Sequence, residues 1–162
     1  MLVRQLQDLI ARLYDAPVEH DVADFLITDG TQAAALQGRD DAPPTDEQLL
    51  IAESDDGLEL GLYVDAAVLQ RLRERCPLEA LDEANLADYC TALEGVSHFH
   101  YCAWSAERRR EVSLLELELQ AEVDKYASAL RLMLEQREGR FPADLFHRLS
   151  EHANFLPQLE SA

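Results

Sequence analysis

The chain has 162 residues, 48% of them apolar, 28% charged and 7% aromatic, which suffices for one domain with one core and is too apolar to stay disordered. Acidic side chains number 32 against 14 basic ones, a formal net charge of −18. That balance excludes a general phosphate-backbone binder and charge-driven docking on anionic membranes, both of which need a basic face.

Residues 2–15 set Leu6, Leu9, Ile10, Leu13 and Tyr14 at helical spacing and predict an amphipathic helix closed before Pro17. Arg4, Gln5, Gln7, Asp8 and Arg12 interrupt it, so it does not read as a signal peptide. No apolar run approaches the roughly 18–20 residues of a membrane span. Residues 21–28 read equally as a strand or as one or two helical turns, ended by Asp29-Gly30. The stretch from Gly38 to Asp46, with two prolines and three aspartates, reads as an exposed loop. Gln48 to Glu53, the turn chemistry of Asp55-Asp56-Gly57, and the alternation of Leu58, Leu60, Leu62 and Val64 predict a hairpin with a bulge or three-residue loop and one buried face. A lone hairpin is marginal in water, so residues 22–28 are expected to add a third strand, or helices to pack on it.

From Asp65 onward the pattern is helical. Val68, Leu69 and Leu72 mark a short helix ending before Pro77, and Asn85 is placed to cap a second that runs to about Ala106. Ser113 and Glu116 form a capping box for a third helix of about 25 residues stopped by Gly139. Pro142 suits the first position of a fourth, reaching about His152. The expected fold is therefore α+β over 1–162 as one domain. An N-terminal helix and a small antiparallel hairpin or three-stranded sheet fill 1–64, and a C-terminal helical bundle fills 65–162.

The helix from Asn85 to Ala106 is apolar nearly all the way round and belongs in the middle of the bundle. Within it Glu94 and His98 stand side by side at i,i+4, with Gly95 between them suiting a close approach by another backbone. On the next helix Leu115, Leu119, Val123, Tyr126, Leu130 and Met133 form one stripe, expected to face the core. Glu122 lies inside that stripe and Glu118 at its edge, while Glu116 and Asp124 read as surface residues. A carboxylate on a core-facing stripe needs a positive or hydrogen-bonding partner. Glu94, His98, Glu118 and Glu122 are therefore the candidate ligands of a divalent metal, since carboxylate and imidazole suit iron, manganese or zinc. The simpler expectation is a structural pair, with Glu122 accepting a hydrogen bond from His98 or a tyrosine and no cofactor bound. His98 and His100 point about 200° apart on a helix and cannot share an ion. His20, His100, His147 and His152 read as surface or interface residues.

Arg108, Arg109 and Arg110 form the only dense basic run and are the candidate partner-binding residues, although pairing with nearby acids accounts for them as well. Residues 1–105 hold 6 basic and 21 acidic side chains against 8 and 11 in 106–162, so the acidic surface lies in the first two thirds. Cys76, Cys90 and Cys102 are an odd set without CxxC spacing and read as free thiols of a reducing cytoplasm. Nucleotide-binding glycine loops, HExxH and GxSxG are all missing. The expectation is a small acidic cytoplasmic accessory protein that binds another protein, a homodimer being one form of that. It would make no direct contact with nucleic acid or membrane. A metal-dependent or acid–base enzyme using the Glu/His cluster is the alternative, and a nucleic-acid mimic the second.

Overall fold

The structure, a computed structural model, describes residues 1–41, 45–54 and 57–151. Its elements in chain order are helix α1 (Leu2–Tyr14), a 3₁₀ turn at Val22–Asp24, strand β1 (Leu26–Ile27), α2 (Gly30–Leu36), β2 (Glu47–Ser54), β3 (Gly57–Val64), α3 (Ala66–Glu74), α4 (Leu86–Glu107), α5 (Leu114–Gln136) and α6 (Leu145–Glu151). The α+β class and the helical bundle match the sequence expectation.

The sheet differs from it. β3 is the central strand; β2 runs antiparallel to it from Glu47↔Val64 to Ser54↔Gly57, but β1 is parallel to it, with Leu26↔Leu62 and Ile27↔Tyr63. The sheet is therefore mixed rather than antiparallel. Residues 21–28 do both of the things their pattern allowed: Asp21 caps the 3₁₀ turn by accepting from the Ala23 amide, and the next residues extend into β1. The chain then crosses over through α2 before the hairpin begins, and that crossover makes the β1–β3 pairing parallel. The sequence reading did not anticipate α2. Asp29-Gly30 looked like a stop, yet Asp29 is an N-cap whose carboxylate accepts from the Thr31 and Gln32 amides. Ala33 of α2 covers Leu50, Tyr63 and Ile27 on one face of the sheet, while Leu62 and Val64 join the main core on the other. The Asp55-Asp56 part of the hairpin turn lies outside the described residues, as does His152.

The main core is centred on α4. Tyr89, Leu93, Val96 and Phe99 are fully buried against Val3, Leu6 and Ile10 of α1, Val68 and Leu72 of α3, and Leu62 and Val64 of β3. Asn85 heads α4 without capping it through its side chain. Its carboxamide accepts from the Asp82 amide and donates to the Arg75 and Ala80 carbonyls, tying the α3–α4 connection together. Ser113 and Glu116 make the expected capping box. Helix α6 begins at Leu145 rather than at Pro142.

The largest correction concerns α5. Its buried face is Leu117, Ala121, Asp124, Lys125, Ser128, Ala129, Leu132 and Met133. Leu115, Leu119 and Val123, expected in the core, are 50%, 57% and 54% exposed, and Asp124, expected outside, is 1% exposed. Both faces of this helix carry apolar residues, so periodicity alone did not tell which face α4 would cover.

Candidate functional site

The place where α4, α5 and the start of β2 meet holds an ionisable seam. Glu94 and His98 come from successive turns of α4, Glu118, Glu122 and Lys125 from α5, and Glu47 from β2. Lys125, the only lysine, is buried. Its Nζ donates to Glu94 Oε2 at 2.9 Å and to Glu122 Oε1 at 2.5 Å. Burial works to lower its pKa, but the hydrogen bonds and charges of Glu122 and Glu94 outweigh it and hold the ammonium above its ordinary value. Glu122 thus pairs with Lys125 at the rim, one turn of α5 away, and is partly exposed.

His98 faces Glu118. Its Nε2 lies 3.8 Å from Glu118 Oε1, too far for a hydrogen bond, and is buried without any hydrogen-bond partner. Desolvation lowers the imidazole pKa against the pull of Glu94, so the ring is neutral at pH 7. One ligand atom each from Glu94, His98 and Glu118 lie within 4.8 Å of one another. Of the four residues singled out from the sequence, these three converge, whereas Glu122 is held by Lys125.

Glu47, which the sequence reading passed over, completes the seam. The residue keeps some exposed surface, but its Oε2 is covered and has no donor. Burial first, then the Glu94 and Glu118 charges, push its carboxyl up to about 8 against the opposing pull of Lys125. Gly95 explains how it fits. A Cβ there would come within 2.7 Å of Leu62 Cδ1 and 2.8 Å of Glu47 Oε2, so the missing side chain admits two hairpin side chains against α4, not the backbone expected.

A second buried network lies on the neighbouring turns. Asp124 accepts from Tyr14 Oη (2.6 Å), Ser97 Oγ (2.6 Å) and Gln120 Nε2 (2.7 Å), three neutral donors from α1, α4 and α5. Beside it, Tyr14, Tyr101, Trp104 and His100 line a cavity of about 190 Å³. His100, expected at a surface or interface, is 4% exposed because α1 closes over that side of α4. Its pKa is lowered by burial, opposed by the Ala16 carbonyl, which lies outside hydrogen-bond geometry.

The arginine run is largely engaged within the chain. Arg108 stacks over Trp104 at 4.2 Å and bonds its carbonyl, and Arg110 bonds Glu116. Arg109 is exposed in left-handed backbone at φ 54°. Cys90 and Cys102 are buried free thiols whose pKa values burial raises, to about 12 for Cys90, which makes them poor nucleophiles. Outside the seam, the outer face of α5 carries a row of exposed apolar side chains. Leu115, Leu119 and Val123 stand at i, i+4 and i+8, rimmed by Glu116, Glu118 and Glu122. Where that stripe continues, Tyr126 meets Phe146 of α6 edge-on. Among the described residues no helix is long and apolar enough to cross a membrane. No protein-family model, curated protein or solved structure matches the chain.

Proposed function

We propose that this is a small acidic cytoplasmic accessory protein that works by binding another protein through the outer face of α5. The observation that carries the reading is the row Leu115, Leu119 and Val123, each half exposed or more on a helix whose other face already fills the core. Three branched apolar side chains aligned over about 12 Å of helix stay costly in water until something covers them. Helix α6 covers the carboxy-terminal continuation of the stripe and leaves these three turns bare.

Charge selects the occupant. The stripe is edged by Glu116, Glu118 and Glu122 on a chain of net charge −18, so pairing two copies brings like charge together. A partner helix with an apolar face rimmed by Lys or Arg gains on both counts. The three free cysteines fit a reducing compartment.

The test uses a helical peptide of leucine and lysine in amphipathic register, with a leucine–glutamate peptide of the same pattern as control. Titration calorimetry should show the cationic peptide binding the intact protein and the anionic one failing. Leu119→Glu should weaken the cationic peptide at least tenfold, about 1.4 kcal/mol. Equal binding to that variant would mean charge attraction without a docking face and would refute the proposal. A protein that is already a dimer, and that Leu119→Glu makes monomeric, would assign the face to a second copy instead.

A further inference from the structure

The seam between α4 and α5 has a charge imbalance that its own residues do not correct. Glu47, Glu94, Glu118 and Glu122 present four carboxyl groups, and Lys125 is the one cation bonded among them, reaching only Glu94 and Glu122. On the side that Lys125 does not serve, His98 Nε2 and Glu118 Oε1 face each other at 3.8 Å with no proton shared between them. The His98 side chain is 8% exposed, and both its Nε2 and Glu47 Oε2 are buried without a hydrogen-bond partner. Buried polar atoms without a hydrogen-bond partner on two separate elements, both against the same carboxylates, mark a place that suits an electrophile.

We propose that Glu94, His98 and Glu118 bind one divalent transition-metal ion, with Glu47 beside them on the hairpin side. Ligand type supports it, because two carboxylates and a neutral imidazole suit zinc and manganese. So does spacing. Ligand atoms about 2.1 Å from an ion stand roughly 3.0–3.4 Å apart in octahedral or tetrahedral geometry, and the three atoms here already lie within 4.8 Å of one another. Rotamer adjustment of the two glutamates, which are less buried than His98, closes the remainder. The helices fix the arrangement: Glu94 and His98 share one face of α4, and Glu118 projects from α5 across the interface. Glu122 is not part of the set: it pairs with Lys125 at the more exposed rim and does not join the 4.8 Å cluster of Glu94, His98 and Glu118. Three protein ligands leave coordination positions open to water. Glu118 also edges the outer face of α5, but ion uptake and peptide binding are read separately, so either proposal can fail alone.

Protein stripped with a chelator and titrated with ZnCl₂, and separately with MnCl₂, should take up one ion per chain. Co²⁺ should give visible absorption bands that report an ordered nitrogen and oxygen ligand set. Glu118→Gln keeps the side-chain shape on a partly exposed residue and should weaken binding about 100-fold or more, beyond the 10–100-fold typical of an outer-shell change. His98→Gln should do the same, with circular dichroism confirming the fold. Lys125→Met should tighten binding, because it removes the competing ammonium from Glu94. Stoichiometry well below one for all three ions would overturn the proposal, and so would affinity unchanged in Glu118→Gln.

Discussion

Glu47→Gln isolates the electrostatics of the seam. In the folded chain burial and the Glu94 and Glu118 charges raise the Glu47 carboxyl from its ordinary value near 4.5 to about 8. The folded state therefore keeps a proton that the unfolded chain has released, so stability falls as pH rises from about 4.5 and levels off above about 8. At about 1.36 kcal/mol per pK unit, the full span corresponds to about 5 kcal/mol. Between pH 6 and pH 9 the same relation gives a loss of about 3 kcal/mol in the wild type. Glutamine has the shape of the protonated acid and does not ionise, so the variant escapes this loss. In chelator-treated protein, urea unfolding at pH 6 and pH 9 should show the variant's advantage over wild type widening by about 2 kcal/mol, allowing for relaxation around the ionised carboxylate. A stability difference that stays constant over that range would show that Glu47 ionises as freely as in the unfolded chain, and the account of the seam would fail.

Lys125→Met should cost about 3–5 kcal/mol in urea unfolding at pH 7, because Glu94 and Glu122 lose their partner inside the interface. The folded ammonium has a raised pKa, so its contribution persists throughout the range below about 10.5. Asp124→Ala strands the hydroxyls of Tyr14 and Ser97 and should lower stability by about 3 kcal/mol. In a double-mutant cycle with Tyr14→Phe, the pair should show coupling of about 1 kcal/mol. Ser113→Ala removes the hydroxyl that accepts the Glu116 amide in the capping box, and a thermal melt should register about 1 kcal/mol of destabilisation.

Local signals in the sequence located most elements. The i,i+3,i+4 rhythm of Leu6, Leu9 and Ile10, the alternation leading to Leu62 and Val64, and the Ser113–Glu116 box each depend on neighbours a few residues away. Glu94 and His98 were legible because an acid or imidazole on an apolar helix violates the pattern around it, whereas Glu118 was placed by a stripe that the structure turns outward. Lys125 carried a usable signal that went unread: the single lysine of the chain sits one turn beyond Glu122 in an otherwise acidic stretch. Glu47 carried none, since a glutamate at the start of a strand next to a loop looks like surface.

Tertiary packing decided the rest. Helix α5 has apolar residues on both sides, and which side turned inward depended on α4, whose buried Ser97 accommodates Asp124 and whose Glu94 accommodates Lys125. A hydrophobic stripe is drawn inward only if the opposing face can complement it, and here the face bearing Leu117, Ala121, Ala129, Leu132 and Met133, with Asp124 and Lys125 matched by α4, turned inward in place of Leu115, Leu119 and Val123. The sense of β1 was likewise set by the crossover through α2, a contact between segments roughly 35 residues apart in the chain. Period and capping are properties of short stretches and can be read in line. Which face meets which, and therefore where charge becomes buried, is a property of pairs of elements and exists only once they pack.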